Sequence, residues 1–467
     1  MTISSAGIGS GLDVNSIVSQ LMAIERQPLT VLATKATTIQ STVSEYGKIK
    51  SAVSALRDAA AKLASSTTWG QTVTNSSSPA VSATTNNSAA GSYTVEVQAL
   101  ASVQTIATAT AVPATTTPGA GTLRIELGTW GAGQTSFAPK AGATAVDITI
   151  AASDTLADVR DKINGAGAGV TALIMTDASG SRLLIRSNSS GAANAFRTSG
   201  IASLAFDPSA GAAAMTQSQT AADAAATING LAVTSPSNTL SNIVDGLTLN
   251  LSTLTTAPVT VNVVTDTDSL KKTIGDFAAA YSALVKLIAT DTKYDAAAKK
   301  GALLQGDSAA IGLQRQMRTL AGGASSASAM FGHLSDVGLQ LQGDGSMTVN
   351  DSKLANALGN VAELKKMFSN SNLLDPSQDG FGKRFRAVAD SMLGIDGALT
   401  TKTDSLGKQL QRNQNDQTAL QTRLDGIEKR MRAQYTALDA TMAVLNSKSS
   451  YITQQIAAFN ANSSSNR

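Results

Sequence analysis

The chain has no cysteine and a single histidine, His333, among its 467 residues. The first absence excludes disulfides, thiol nucleophiles and cysteine-ligated metals; the second excludes histidine metal clusters and leaves His333 alone for any histidine-dependent catalysis. No Gly-x-Ser-x-Gly elbow accompanies it, so His333 reads as a packing or surface residue and no catalytic residue is assigned. Aromatic residues make up 4% of the chain and charged residues 15%, both low, and the net charge of +3 implies no strong pull on nucleic acid. No apolar run approaches about 18 residues, so no membrane insertion is expected. The opening MTISSAGIGSGLDV lacks a basic segment, an apolar core and a cleavage site. A secretory signal peptide is therefore not expected, and any export would use another route.

What the chain does have is an excess of Ala, Ser, Thr, Gly and Asn over a length suited to about three domains. It also carries, near both ends, long stripes of apolar residues spaced alternately by three and four. The first runs through Leu29, Leu32, Ala36, Ile39, Val43, Tyr46, Ile49, Val53, Leu56, Ala60 and Leu63. The second runs through Leu420, Leu424, Ile427, Met431, Tyr435, Leu438, Met442, Leu445, Ile452, Ile456 and Phe459, with Ser449 in the one missing seam position. Such spacing gathers apolar groups on a narrow helical stripe that must be buried against another helix. At about 1.5 Å per residue either stripe reaches roughly 50 to 60 Å, and over about five heptads a coiled coil is expected in preference to a pair of bundle-core helices. Phase breaks between Tyr46 and Ile49, and between Ile427 and Tyr435, match local over- or underwinding.

Between the stripes the pattern changes. Asp13 can cap a first helix carrying Val14, Ile17, Val18, Leu21 and Ile24, which Pro28 ends or restarts. Residues 67 to 91 have a linker composition and are expected to be a flexible joint. Strands are expected at Tyr93 to Val97, loosely through Ile106, and again in Ala226 to Val233, Leu247 to Leu251 and Val259 to Val264. A second β-rich set lies near Leu123 to Leu127, Val146 to Ile150, Val170 to Met175 and Arg182 to Ile185, with a short helix carrying Leu156, Val159 and Ile163. Polar, small-residue runs divide the two sets, which leaves open an insertion of the second in the first. Helical spacing returns at Leu270 to Ile288 and near Ser308 to Leu320. Gly338 to Leu341 and Ser346 to Val349 flank a hairpin signal at Gly343-Asp344-Gly345.

Motifs with chemistry in them are weak. Gly7-Ile8-Gly9-Ser10-Gly11 has no preceding strand, and Gly165-Ala166-Gly167-Ala168-Gly169 follows a helix, so neither fits a dinucleotide fingerprint and both read as flexible joints. Asp154, Asp158 and Asp161 near one helix face could hold a hard cation, but acids at a helix start more commonly complement its dipole and solvent. No metal and no cofactor is expected. The basic cluster Arg423, Lys429, Arg430, Arg432 is relieved by Asp425 and Glu428, and reads as a solvated face.

In order along the chain, several segments resemble the family of bacterial flagellar filament-capping proteins, or flagellar hook-associated protein 2. They are Gly7 to Val14 with Ile17-Val18, Leu21-Met22, Glu25-Arg26 and Pro28-Leu29; Gly91 to Val97 with Leu100-Ala101; and Ala224 to Gly230 with Asn238 and Gly246 to Leu249. Leu303 to Asp307 and Gly338 to Val349 follow. Thr155 to Asn164 through Val170 resembles the flagellin hook Ile-Asn motif; elsewhere in 111 to 221 the likeness is weak. The resemblance implies an α+β multidomain chain: a terminal α-helical coiled-coil leg, a helical domain with a β-hairpin, and two β-rich head domains, one inserted in the other. The division it implies is 1–40 with 436–467 as terminal helical segments, 41–75 with 268–435 as the leg domain, 76–112 with 222–267 as a head domain, and 113–221 as the inserted one.

The resemblance further implies a secreted protein of the bacterial flagellum, exported unfolded by the type III route and placed at the filament tip. There a ring of about five copies, within about four to six, would cap the filament, keep exported flagellin from being lost and help it fold and polymerise. Implied partners are further copies of itself, flagellin, the hook-filament junction protein, and an export chaperone at the C-terminal helix. The expected contact residues are Ile17, Leu21, Ile24, Leu32, Ile39, Val43, Leu56, Leu420, Leu424, Ile427, Met431, Leu438, Leu445, Ile452, Ile456 and Phe459. Two other readings stay open: another axial protein such as flagellin or a junction protein, and a surface adhesin, adhesion also being compatible with a cap.

Overall fold

The computed structural model describes residues 13–86, 88–372 and 374–464, and of Ser377, Phe459 and 461–464 the backbone alone. The glycine-rich start at Gly7 to Gly11 lies outside the described residues. The α-helices are α1 (Val14–Glu25), α2 (Gln27–Ala64), α3 (Leu156–Gly165), α4 (Thr267–Thr292), α5 (Ser308–Gly322), α6 (Asp351–Leu358), α7 (Val361–Ser369), α8 (Phe381–Leu393) and α9 (Ala398–Ser464). The described residues divide into two units: those through Trp69 and from Leu270 form a helical one, and those from Gly70 to Ser269 a β-rich one.

In the helical unit the expected caps hold. Asp13 accepts from the Ser16 N–H at 2.9 Å at the start of α1, and Pro28 sits in the first turn of α2, where its missing N–H costs nothing. The core is a bundle. Tyr46, Ile49, Val53, Leu56, Ala60 and Leu63 of α2 are fully buried against Leu270, Ile274, Phe277, Tyr281, Leu284 and Ile288 of α4, with Phe381 and Phe385 of α8 and Leu399 and Leu406 of α9. From Ile39 onward, then, the first stripe is a bundle-core face and not half of a coiled coil with the second. Its period fits both arrangements; the choice is made by α4 to α8, whose faces leave too much apolar area for one partner helix to cover. The expected hairpin is present, with Leu339–Leu341 paired to Met347–Val349. The short helices α6, α7 and α8 were not among the expected elements, although Phe381, Phe385, Val388 and Met392 of α8 keep helical spacing; Asn350 and Asn360 cap the first two through the Lys353 and Glu363 N–H groups.

In the β-rich unit a five-stranded antiparallel sheet runs in the order Thr72–Ser76, Val259–Thr265, Gly91–Ala99, Ala224–Ile228, Leu231–Ser235. It shares a core with a three-stranded sheet, Thr239–Val244, Leu247–Leu251 and Val81–Thr85, through Val81, Val95, Val97, Leu247, Leu249 and Val261. A second core, containing Ile106, Leu123, Ile125, Ile163, Leu183, Ile185 and Phe196, lies between a sheet built on Gly121–Trp130 and another of Met215–Gln219, Thr105–Thr108, Gly180–Ser187 and Val170–Asp177, with α3 packed on it.

Four sequence expectations change here. Residues 67 to 91 are not a flexible joint: the Trp69 indole N–H donates to the Leu63 carbonyl at 2.9 Å, its ring stacks on Phe368, and two strands follow. Ala226 to Val233 is two strands turned at Asn229-Gly230, both at positive φ, the pair such a tight hairpin requires. Gly165 to Gly169 is a fixed turn: Ala168 is buried, and a Cβ at Gly169, itself at φ +72, would meet Leu127 Cδ1 at 2.7 Å. Finally, the boundary at 113 that the resemblance implies is not where the second core begins. Thr105–Thr108 pairs with strands of that core, while Thr72–Ser76, of which the implied division gives all but Ser76 to the leg domain, pairs with Val259–Thr265 of the first.

Candidate assembly surface

α9 extends for 67 residues, roughly 100 Å. Its seam meets three environments in turn. Leu399 and Leu406 enter the bundle core. Next comes a polar step: Asn413 is buried, its side-chain Oδ1 accepts from Gln417 Nε2 at 2.6 Å, and the same Gln417 amide reaches the Leu32 backbone carbonyl at 3.4 Å. Beyond it Leu424 is buried against Val14, Val18 and Met22 of α1, with Leu29, Leu420, Ile427, Met431 and Tyr435 packed around them. The expected pairing of terminal helices is therefore made mainly by α1, and of the long α2 stripe only its first residue, Leu29, joins the cluster around Leu424.

Charged side chains meet across the same contact. Glu428 accepts from Arg26 Nη2 at 3.0 Å on one oxygen and from Arg432 Nε at 3.0 Å on the other, and Arg432 Nη1 donates to Asn15 Oδ1 at 2.9 Å. The Glu428–Arg432 spacing legible in the sequence thus becomes part of a link between α1 and α9.

Past Tyr435 the cover thins among the described residues: Asp439 is still buried and Met442 half-buried. Leu438, Leu445, Ile452 and Ile456 retain the heptad phase yet are 47%, 54%, 56% and 56% exposed. Val444 and Tyr451 beside them are exposed as well. The expected contact residues therefore fall into separate groups. Ile39 and Leu56 are bundle core, with Val43 packed against it. Leu424 is buried, and Leu420, Ile427 and Met431 lie partly covered, in the α1–α9 junction. Ile17, Leu21 and Leu32 are half-buried, and Ile24 is exposed. Leu438, Leu445, Ile452 and Ile456 stand uncovered among the described residues, and the Phe459 side chain lies outside them. The sequence reading missed Val14, Val18 and Met22 as the contact face of α1; their i, i+4, i+8 spacing was the available signal, masked by the equally apolar face Ile17, Leu21, Ile24 beside it.

The carboxylates of the α3 start are already engaged. Lys162 binds Asp154, Asp158 closes a capping box with Thr155, and Asp161 pairs with Arg160 at 2.8 Å, so the three carboxylates serve different partners. His333 is about half exposed beside Asp336. Among the described residues no cluster of potential metal ligands occurs, and no helix is long and apolar enough to cross a membrane.

Comparison with known proteins bears on this surface. Residues 10–104 match the family model for the N-terminus of flagellar hook-associated protein 2, residues 221–447 that for its C-terminus, and residues 133–189 the flagellin hook IN motif. The flagellar hook-associated protein 2 of Escherichia coli K12 is 33% identical over 477 residues, covering 97% of this chain and 98% of that protein. The A-type flagellar hook-associated protein 2 of Pseudomonas aeruginosa is 28% identical over 97% of both chains. The crystal structure of the D1-D2-D3 domains of the Escherichia coli flagellar cap protein FliD superposes with a TM-score of 0.59 at 30% identity, covering 78% of this chain and 99% of that one.

Proposed function

The chain belongs to the flagellar hook-associated protein 2 family and caps the flagellar filament at its tip, and from that premise we propose how its parts divide the work. The cap is an assembly that oligomerises and associates with the flagellin filament. Its role is structural, and we infer no catalysis. The terminal segments 1–40 and 436–467 serve as the part that grips the filament end, the bundle carries them, and the two β cores form the plate through which copies associate. A ring of about five copies would have fewer legs than the filament has protofilaments, so its legs occupy inequivalent sites and one gap stays open for the next flagellin. The hook-filament junction protein is the surface on which the first cap stands. Before export, the C-terminal stripe is the helix-in-groove ligand for a chaperone.

The observation that carries this reading is the uncovered heptad face of Leu438, Leu445, Ile452 and Ile456, continuing in phase with a seam that is buried at Leu424. Large apolar side chains in a regular stripe are retained on a surface when a partner covers them. The test is complementation of a deletion strain with Leu445→Ser plus Ile452→Ser. The variant should fold with unchanged melting and be exported, yet leave flagellin monomers in the medium and filaments short or absent. Filaments of normal length and number would sink the assignment of this face.

A further inference from the structure

Three carboxamide side chains in the β-rich unit bind backbone in the same way, each giving a donor and an acceptor to one peptide residue as a neighbouring strand would. Asn238 accepts from the Ala101 N–H at 2.7 Å and donates Nδ2 to the Ala101 carbonyl at 2.9 Å. Gln104 accepts from the Phe196 N–H at 3.1 Å and donates Nε2 to the Phe196 carbonyl at 2.7 Å. Asn164, of the Ile-Asn motif, accepts from the Ala172 N–H at 2.7 Å and donates to the Ala172 carbonyl at 3.0 Å on the open edge of Val170–Asp177. Each thus satisfies both polar groups of a residue that no strand pairs on that side.

Two of the three flank one short segment. Residues 100 to 104 carry the chain from the strand Gly91–Ala99 of the first β core to Thr105–Thr108 of the second. Asn238 holds Ala101 to the first core. Gln104, fully buried, is bonded in the second, where its oxygen also accepts from Trp130 Nε1 at 3.1 Å and its backbone N–H donates to Ser187 Oγ at 3.0 Å. Between them Ser102 forms an isolated bridge with Ala222 on the returning segment, and its carbonyl accepts from the Gly191 N–H at 3.1 Å.

We propose that Asn238 and Gln104 are positioning residues that lock the crossover between the two β cores, so that the cores move as one rigid body, and that Asn164 closes the exposed strand edge of the second core. A carboxamide can do what a crossover disulfide does elsewhere, without an oxidising compartment, in a chain with no cysteine. A hinge would instead leave these peptide groups to water.

The chain's lack of cysteine makes the test direct. Met175→Cys in the second core and Leu231→Cys in the first, both exposed, take spin labels in the full-length protein, and pulsed dipolar spectroscopy reads their distance distribution. The parent should give a single narrow distribution, and adding Asn238→Ala should roughly double its width while far-UV circular dichroism is unchanged. A broad parent distribution, or one unaltered by Asn238→Ala, overturns the lock. Should that variant fail to fold, hydrogen exchange of the unsubstituted chain decides: the Ala101 and Phe196 amides should be as protected as their neighbouring strands, and loop-like exchange there overturns it. For Asn164→Ala, faster exchange at the Ala172 amide is expected; unchanged exchange overturns the edge assignment.

Discussion

Arg26 and Glu428 are 402 residues apart in sequence, yet their side chains meet at 3.0 Å, at the point where α1 ends against α9. The pair lies inside the junction by which α1 is held to α9. Both side chains are partly solvated, so the pair itself adds little. The apolar contact beside it carries the energy.

Leu424 is 1% exposed at the centre of that contact. Leu424→Ala should cost the junction about 2 to 4 kcal/mol through lost transfer energy and cavity formation. Because the bundle core has no part in this cluster, hydrogen exchange should accelerate in α1 and leave α4 unchanged. Equal acceleration in both would show that the junction is not a separate cooperative element.

Asp307 joins three elements of the bundle. It caps α5 through the Ala309 and Ala310 N–H groups, and it accepts from the Tyr46 hydroxyl at 2.5 Å and from Lys402 at 2.8 Å. Burial pushes its carboxyl up, but Lys402, Tyr46 and the helix N–H groups together hold it below the usual range. Tyr46→Phe removes one of several donors and should cost about 1 kcal/mol, whereas Asp307→Ala removes the cap as well and should cost about 2 to 3 kcal/mol. Chemical denaturation of the two variants checks the order.

Glu363 is held down to about 2, first by Lys366, then by Ser328 and the Ala329 N–H, against the opposing effect of burial. Unfolded, the same carboxyl takes its proton near the ordinary 4.5. Its contribution is therefore present above about pH 4.5 and is lost as pH falls from there to about 2. Urea midpoints measured from pH 5 to pH 2 should fall more steeply for the parent than for Glu363→Gln.

Gly382, in the first turn of α8, lets that helix approach α2 closely. A Cβ there would come within 2.8 Å of the Phe368 carbonyl oxygen and 2.9 Å of the Ala64 nitrogen, both backbone. Gly382→Ala should therefore destabilise the bundle by about 1 to 3 kcal/mol despite alanine's better helix propensity. A raised melting temperature would mean the helices separate freely.

The sequence by itself determined the local elements wherever one periodicity was long enough to admit a single reading. Asp13 and Pro28 marked the helix starts, the stripe from Leu270 to Ile288 marked α4, and alternation marked the strands around Val95, Leu249 and Val261. The absence of cysteine and the lone histidine settled which chemistries were closed to it. Tertiary structure decided the partners. A stripe of apolar residues states that it must be covered, not by what, and so Ile39 to Leu63 went to a bundle while Leu424 went to Val18 and Met22. It also decided what two polar residues of the head were for: the roles of Gln104 and Asn238 depend on backbone groups brought to them by the fold, from 92 and 137 residues away, a relation no local pattern encodes.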